Sequence, residues 1–336
     1  MTDAESPSIW SRLAKETLRG RRGLLKLNTL WLPAALLLAE DATGTSPSPA
    51  ALASIALVVS SWIFLSTLTN DLSECRQDRA AGKRRWICSL QPPVAWGILL
   101  ALLAGGWGVL VLSKSPAGAK WAYGLAALVG ILYSLRPLRL KERGLLGIAG
   151  YSLSCSLAYV VLPWAWTNSA GPAIVFLWPA VFFDKWVNLH FHQVIDREAD
   201  ASGGIRTYAV QAGLKKARRS LRWSAGLASA ALLALFISII MIFADARLLI
   251  GLAAGIFALA WAFYKLRTDV RRTLDNKLFQ ELPWYYLAST LFTLRILAVI
   301  LWAGLAWKAR ALWPALMVVA VTVAADLWLS FRYRYQ

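Results

Sequence analysis

Carboxylates at helical spacing follow the end of a long apolar run. The stretch NDLSECRQD places Asn70, Glu74 and Asp78 at four-residue intervals, with Asp71 beside the first of them. On a helix these side chains share one face, where like charges repel. Mg²⁺ accepts such a row of hard oxygen donors, especially when phosphate oxygens of a substrate complete its coordination. The spacing therefore predicts a divalent-cation site, although the stretch taken alone is also typical of a solvated helix end.

A second acidic stretch, VIDREADASGGIRT, repeats this pattern after another apolar run. Asp196 and Asp200 are four residues apart and face the same way on a helix, whereas Glu198 points elsewhere. Gly203 and Gly204 then end the helix and let the chain turn. If two acidic helix ends met across a cavity, they would hold two Mg²⁺ ions against a diphosphate and orient it as a leaving group.

A third stretch, YSLRPLRLKERGLLG, supplies cations and hydroxyl groups between the two acidic stretches. Its basic side chains can bind diphosphate oxygens, its hydroxyl groups can donate to the same group, and Pro137 stops the preceding helix. Basic residues beside the acidic stretches could reach the same phosphates or pair with the acids. The candidates in the third stretch are Tyr133, Ser134, Arg136, Arg139, Lys141 and Arg143, and those beside the acidic stretches are Arg76, Arg79, Lys83, Arg84, Arg85, Arg197 and Arg206.

The elements that position these residues are expected to be membrane helices. Of 336 residues, 58% are hydrophobic and 16% are charged, which is not the balance of a soluble protein. Ten apolar runs approach the length with which a helix crosses about 30 Å of hydrocarbon. We predict a basic amphipathic segment over residues 1–23 and, over 24–336, an all-α polytopic bundle of nine or ten transmembrane helices around a central cavity. The runs are 24–40, 51–70, 93–113, 119–136, 144–164, 172–194, 221–243, 246–265, 286–307 and 311–330.

The distribution of basic residues predicts the orientation of these helices. Of 36 Lys and Arg residues, 29 fall on one side of the predicted spans and five on the other. By the positive-inside rule, both termini and the loops with the three stretches face the cytoplasm. Lys and Arg beside anionic headgroups account for the net charge of +18, so we predict a lipid bilayer and no nucleic acid as partner.

The three stretches, in this order and at these helix ends, resemble the UbiA superfamily of intramembrane prenyltransferases. That family carries Asn-Asp-x-x-Asp-x-x-x-Asp, then a Tyr-containing basic loop, then Asp-x-x-x-Asp followed by Gly-x-x-Thr. The departure is Glu74, which keeps the carboxylate of the usual Asp but reaches one methylene further. The matching positions are Asn70, Asp71, Glu74 and Asp78, then 133–141, then Asp196, Asp200, Gly204 and Thr207.

The resemblance implies a Mg²⁺-dependent enzyme that transfers an isoprenyl group from a prenyl diphosphate to a lipophilic, commonly aromatic, acceptor. The diphosphate would lie between the acidic motifs, with the prenyl chain in a water-excluding cavity lined by Trp and Phe. Asn70, Glu74, Asp78, Asp196 and Asp200 would be metal ligands. We expect an integral membrane protein of a bacterial inner membrane, and the sequence indicates no protein partner.

Other functions are open at this stage. A relative that cyclises its donor, or that transfers it to a non-aromatic lipid, would carry the same motifs. A transporter is disfavoured because the sequence lacks paired broken helices and clear half-to-half symmetry. A phosphatidyl-type alcohol phosphotransferase would gather its acids in one longer run containing Asp-Gly or Asp-Ala, which is absent.

Several other polar residues have structural interpretations. His190 and His192 face different directions on a helix and lack a thiolate to complete a zinc set, so a cavity-lining or bonding role is favoured; Gln193 could orient an acceptor. The intramembrane charges are expected to be structural: Asp184 and Lys185 would snorkel or bond to neighbouring helices, and Arg295 and Asp326 would form one buried pair. Cys75, Cys88 and Cys155 are unevenly spaced, and we predict no disulfide.

Overall fold

Long apolar helices make up most of the fold, because a chain in hydrocarbon must satisfy its backbone hydrogen bonds internally. A computed structural model describes residues 48–80, 82, 85–168 and 174–242, and every regular element in these ranges is helical. By length and composition, three of the helices in the described ranges, Pro49–Ser73, Pro92–Leu112 and Leu145–Trp166, can cross a membrane. The long helices are α1 (Pro49–Ser73), α3 (Pro92–Leu112), α4 (Ala117–Ser134), α5 (Leu145–Trp166), α6 (Ile174–Ile195) and α9 (Leu214–Ile242).

Short helical elements lie between the long ones. They fall after α1, between α4 and α5, and between α6 and α9, so the antiparallel course of the bundle gathers them at one end. This is the end where the sequence analysis places the three candidate stretches. The short elements are α2 (Cys75–Ala80), a 3₁₀ turn (Trp86–Ser89), a second 3₁₀ turn (Leu140–Glu142), α7 (Arg197–Ser202) and α8 (Tyr208–Ala212).

Local sequence explains where the first helix begins and ends. The Ser48 hydroxyl accepts a hydrogen bond from the Ala51 amide at 3.2 Å, and Pro49 occupies the first helical position, where its missing N–H costs nothing. At the other end α1 stops at Glu74, and the chain resumes at once as α2. The continuous helix predicted through residue 78 is therefore broken once within the acidic motif.

Small residues allow the helices to approach closely. In α4, Ala119, Ala122 and Ala126 are buried against the rest of the bundle. In α9, Ala217 and Ala225 are buried in a cluster with apolar side chains of α6. Close backbone approach is the main source of helix association in membranes, where lipid removes most of the hydrophobic driving force.

Five of the predicted spans agree with the described helices within three residues at each end, whereas α9 begins seven residues before its run. Runs 51–70, 93–113, 119–136, 144–164, 172–194 and 221–243 correspond to α1, α3, α4, α5, α6 and α9. The run 24–40, the segment 1–23 and the three runs from 246 to 330 lie outside the described residues, as do Arg295 and Asp326. The ninth and tenth spans therefore stay predictions.

The expectation of no disulfide was wrong. Cys75 and Cys88 form a disulfide that joins the start of α2 to the first 3₁₀ turn, whereas Cys155 is a free, buried thiol. The break at Glu74 and the turn that follows α2 bring the two cysteines together. Their separation of 13 residues could not reveal this, because it depends on how the intervening chain reverses.

Gly106 in α3 gives space to a buried aromatic ring of α4. A Cβ at this position would overlap the Tyr123 hydroxyl and lie 2.9 Å from its Cε2. The Tyr123 side chain is fully buried and its ring meets Trp107 edge-on at 5.8 Å between centroids. The ring has little room to move away.

We predict that Gly106→Ala lowers the free energy of unfolding by about 1–3 kcal/mol, the usual cost of overpacking. Thermal unfolding of the purified protein in detergent would measure this as a lower midpoint. Gly105→Ala is the matched control, because a Cβ there meets nothing within 4 Å and Ala favours a helix over Gly by up to about 1 kcal/mol. Equal midpoints for the two variants would contradict the prediction.

Candidate active site

Lys141 joins the basic stretch to the first acidic motif. Its side chain is 3% exposed, and its Nζ lies 2.8 Å from Glu74 Oε1. The same ammonium donates to Asn70 Oδ1 at 3.2 Å and to Ser73 Oγ at 3.1 Å. Asn70 in turn donates from Nδ2 to Glu74 Oε2 at 3.0 Å. The ammonium group thus has an oxygen partner for each of its three protons, as a buried cation requires.

The local backbone brings Lys141 to this position. Pro137 ends the helical course after α4, Arg139 adopts a left-handed conformation with φ of 38°, and the second 3₁₀ turn follows. At the start of α5, Gly147 lets the helix press against this turn, because a Cβ there would lie 2.5 Å from the Leu140 carbonyl oxygen and 2.9 Å from Lys141 Cα. Burial lowers the pKa of Lys141, and the Glu74 carboxylate opposes that shift.

Arg85 lies between the two remaining carboxylates of the first motif. Its Nε donates to Asp78 Oδ2 at 2.7 Å and lies 3.8 Å from Asp71 Oδ1. Both aspartates are buried, at 3% and 8% exposure. The predicted stack of Asn70, Glu74 and Asp78 is therefore divided. Asn70 and Glu74 contact Lys141, whereas Asp78 contacts Arg85 together with Asp71.

The second acidic motif spans the junction of α6 and α7. Asp196 lies at the residue before α7 without a capping side-chain hydrogen bond and is exposed, and Asp200 Oδ2 accepts a hydrogen bond from Thr207 Oγ1 at 3.1 Å. Gly203 follows the end of α7, and Gly204 has a φ of 72°, a conformation that glycine adopts without strain. The turn predicted at this glycine pair is present, and it returns Thr207 to Asp200.

Gln211 in α8 connects the second motif to the basic stretch. Its Nε2 donates to the Glu142 carbonyl oxygen at 2.8 Å and also to the Arg206 carbonyl oxygen. The carboxylates of Glu74 and Asp200 both act electrostatically on Tyr133 at the end of α4. The three stretches therefore meet at one end of the bundle. No sequence signal identified Gln211 or Ser73.

A cavity of about 250 Å³ opens beside the three polar stretches. Asn70 of the first acidic motif and Tyr133 of the basic stretch both line it. Its aromatic lining is one Trp and three Tyr within the described residues, rather than the Trp and Phe expected. Trp62 and Tyr159 meet edge-on at 5.3 Å between centroids. The lining residues are Trp62, Ile63, Ser66, Thr67, Asn70, Gly130, Tyr133, Tyr151, Ser154, Cys155, Tyr159, Asn188, Leu189 and His192.

The other residues predicted to bind the diphosphate differ in how deeply they are buried. Arg139 is buried and pairs with Glu142 at 3.0 Å, Arg197 is partly buried, and Arg136 and Arg206 are exposed. Ser134 is buried and donates to Asn70 Oδ1 at 3.4 Å. Arg76, Arg79 and Arg143 are exposed, and the candidates Lys83 and Arg84 lie outside the described residues.

The polar residues of α6 separate by helix face. His192 lines the cavity, whereas His190 is fully buried with its ring 5.2 Å from that of Tyr208. Asp184 and Lys185 are both 1% exposed and form an ion pair with each other at 2.6 Å. Gln193 is buried and does not appear among the cavity-lining residues of the described chain.

The donor set fits a divalent cation in its chemistry. Carboxylate and amide oxygens, the groups offered by both motifs, are what Mg²⁺ selects. In the described structure the carboxylates of the first motif contact protein cations: Asp71 and Asp78 face Arg85, and Glu74 faces Lys141. Within the described ranges, no three His, Cys, Asp or Glu side chains stand close enough together to hold a metal ion. Metal binding would require carboxylates to exchange a protein cation for the metal.

Comparison with known proteins identifies relatives of the whole bundle. The UbiA prenyltransferase family matches residues 30–281, and a search of curated proteins finds no significant match. Among solved structures, a UbiA homologue from Archaeoglobus fulgidus bound to DMAPP and Mg²⁺ is 19% identical, with 87% of this chain and 96% of that chain covered and a TM-score of 0.60.

Two further structures share this fold. The Archaeoglobus fulgidus homologue bound to GPP and Mg²⁺ is 20% identical, with 87% and 96% of the two chains covered and a TM-score of 0.58. A structure of digeranylgeranylglyceryl phosphate synthase is 14% identical, with 84% and 97% covered and a TM-score of 0.55. The family match extends over most of the chain, and the helical architecture agrees with it. The chain belongs to the UbiA prenyltransferase family of integral membrane enzymes.

Proposed function

We propose that this protein catalyses Mg²⁺-dependent transfer of an isoprenyl group from a prenyl diphosphate to a lipophilic, aromatic acceptor within the membrane. The observation that carries the proposal is the Lys141 cluster with Asn70 and Glu74, because it joins a basic stretch to an acidic motif at an aromatic cavity. The related Archaeoglobus fulgidus structures bound to DMAPP or GPP with Mg²⁺ support this donor class.

The polar cluster would bind the diphosphate end of the donor. Lys141, Arg139 and Arg136 carry the positive charge, and the Tyr133 and Ser134 hydroxyls can donate to phosphate oxygens. When bound, Mg²⁺ would neutralise the diphosphate and make it a better leaving group. The residues that would hold the metal are Asn70, Glu74, Asp78, Asp196 and Asp200, with Asp71 as a further carboxylate of the site. Lys83, Arg84, Arg197 and Arg206 are further candidates for diphosphate binding.

The aromatic cavity would hold the prenyl chain and the acceptor. When the allylic carbon–oxygen bond breaks, its electron pair leaves with the diphosphate, and a carbocation forms on the prenyl group. The faces of Trp62, Tyr151 and Tyr159 can stabilise this cation and keep water from it. An acceptor ring carbon then forms the new carbon–carbon bond and the ring loses a proton.

The acceptor class distinguishes the remaining alternatives. A relative with this fold is described as digeranylgeranylglyceryl phosphate synthase, a name that favours a non-aromatic lipid acceptor as the second candidate. A donor that cyclises without any acceptor is the third. All three use the same diphosphate cluster, so they differ in product mass and not in their dependence on the motifs.

We infer that the site faces the cytoplasm, with both termini on that side, and that the host membrane is a bacterial inner membrane. The excess of Lys and Arg in the loops around the site supports this orientation. Exposed positions at the two ends of the bundle provide a test, since Arg206 lies beside the site and Lys114 lies in the turn between α3 and α4.

A cysteine introduced at Lys114 should react with a membrane-impermeant maleimide in intact cells, and one introduced at Arg206 should react only after the cells are opened. The measurement is gel-shift labelling of the two single-substitution variants, each compared with the unsubstituted protein for background. Labelling of the Arg206 position in intact cells would contradict the orientation.

The activity itself is tested with purified protein in detergent. Radiolabelled geranyl, farnesyl and geranylgeranyl diphosphates are incubated with a lipid extract, with and without Mg²⁺, and products are identified by mass spectrometry. We expect a Mg²⁺-dependent product whose mass equals acceptor plus prenyl group. A cyclised hydrocarbon or terpene alcohol would identify the cyclase instead, and no consumption of any donor would contradict the proposed function.

Neutralising a motif carboxylate should stop turnover without unfolding the bundle. We predict that Asp196→Asn or Asp78→Asn reduces turnover by at least about 100-fold, since each removes a charge that stabilises the reacting diphosphate complex. Glu198→Gln is the matched control for Asp196, because Glu198 is an exposed acid in the same short helix and should retain turnover. Thermal unfolding midpoints check the folding of each variant, and normal turnover in both aspartate variants would contradict the site.

A further inference from the structure

Arg85 places one positive charge between two buried carboxylates of the first motif. The same Nε atom lies 2.7 Å from Asp78 Oδ2 and 3.8 Å from Asp71 Oδ1. The side chains of Asp78 and Asp71 are 11% and 5% exposed, whereas the Arg85 side chain is 36% exposed. The guanidinium is therefore closer to solvent than the carboxylates it neutralises, and it can leave without disturbing the core around them.

A covalent link holds Arg85 in this position. The Cys75–Cys88 disulfide ties the turn that follows Arg85 to the helix that carries Asp78. The Cys88 amide donates to the Arg85 carbonyl oxygen at 3.1 Å, so the disulfide and the arginine belong to one tight turn. The two sulfur atoms also lie 3.4 Å and 3.5 Å from the Asp71 carbonyl oxygen, which places the disulfide directly beside the motif.

Trp86, Ile87 and Cys88 pack the turn against the apolar core. Ile87 is fully buried among apolar side chains of the core, whereas Ser89 and Gly82 are exposed. Without the disulfide, the main chain would be the only covalent path between Arg85 and α2. A cross-link raises the effective concentration of a tethered group at its partner and limits the other conformations of the loop.

We propose that Arg85 is a positioning residue, a built-in counter-cation that competes with divalent metal for Asp71 and Asp78, and that the Cys75–Cys88 disulfide strengthens this competition. The proposal rests on the proposed function in one respect, that the first motif binds a divalent cation. It explains why the carboxylates, although chemically suited to a metal, are paired with a guanidinium in the described structure.

The chemistry of the switch is a thiol–disulfide exchange. A dithiol reductant gives two electrons and two protons to the disulfide, Cys75 and Cys88 become thiols, and the dithiol becomes a disulfide. The reduced protein then releases the Arg85 turn and binds metal more tightly. Since the cytoplasm keeps thiols reduced, a site facing that compartment would be in its high-affinity form, and oxidation would weaken metal binding.

The test measures metal affinity directly and does not depend on turnover. Mn²⁺ serves as the probe because it shares the oxygen ligands of Mg²⁺ and its electron paramagnetic resonance signal reports the unbound ion. The oxidised full-length protein in detergent is titrated with Mn²⁺ alone. We expect Arg85→Gln to bind Mn²⁺ about 10- to 100-fold more tightly than the wild type, the change expected when one charge-assisted pair stops competing.

Two variants control for charge and for structure. Arg85→Lys keeps a cation at the position and should retain the weaker Mn²⁺ affinity. Arg219→Gln removes one positive charge from an exposed position on α9 and should match the wild type. If Arg219→Gln tightened binding as much as Arg85→Gln, the effect would come from net charge, and the proposal would be overturned.

A separate comparison tests the role of the disulfide in metal affinity. Dithiothreitol should shift the wild-type affinity toward that of Arg85→Gln, and the double variant Cys75→Ser/Cys88→Ser should show the tighter affinity with or without reductant. A wild-type affinity that ignores dithiothreitol would overturn the role of the disulfide.

The outcomes separate this inference from the proposed function. Mn²⁺ binding that is unchanged in Arg85→Gln would overturn the inference and leave the metal site intact. An absence of Mn²⁺ binding in every variant and redox state would overturn both.

Discussion

The contact between Lys141 and Glu74 is the interaction on which the polar end of the bundle depends. Lys141 is almost completely buried, and a buried ammonium without a carboxylate and further acceptors would be strongly destabilising. Glu74, Asn70 and Ser73 supply those acceptors from the end of α1. Lys141 lies between α4 and α5, and Glu74 follows the end of α1. This ion pair therefore joins the end of α1 to the connection between α4 and α5.

The same cluster sets the electrostatic balance of the mouth of the cavity. Within the described contacts, Lys141 and Arg85 face three carboxylates of the first motif. Such a site is close to neutral before any ligand arrives, which makes it compatible with the low-dielectric edge of a membrane protein. A ligand that brings both metal cations and a diphosphate adds little net charge, so the protein can accept it by exchanging partners and without accumulating charge in a partly buried space.

Sequence reasoning located the helices and the three polar stretches, but it could not assign the contacts within them. The run 51–70 predicted α1, and the four-residue spacing of Asn70 and Glu74 predicted that their side chains share one face of the helix. Both predictions follow from helical periodicity. The break at Glu74 was not predictable from the same periodicity, which continues unbroken to Asp78. That break rotates Asp78 toward Arg85 and away from the predicted stack.

Contacts made by turns were beyond the reach of the sequence for the same reason. Four basic residues, Arg79, Lys83, Arg84 and Arg85, follow the first motif, and only the path of the chain through the turn brings Arg85 to Asp71 and Asp78. Gln211 is one exposed polar residue among many until α8 is placed against the basic stretch. The choice of Tyr over Phe in the cavity lining depends on the rotation of α1, α4 and α5 about their axes, which apolar runs leave undetermined.

The course of α5 contains one feature with a consequence for how this chain can change. Residues Leu157–Val161 form a π-helical turn between two α-helical segments, and such a turn holds one residue more than an α-helical turn. Since each α-helical residue advances about 100° around the axis, deleting one residue from a regular stretch of α5 would rotate everything that follows by that amount. A deletion within Leu157–Val161 is different, because it converts the wider π turn into an α-helical turn and leaves the segments on either side in phase. This turn is therefore a point of α5 at which the chain can lose one residue while Trp164 and Trp166 keep the faces they now occupy relative to Tyr151.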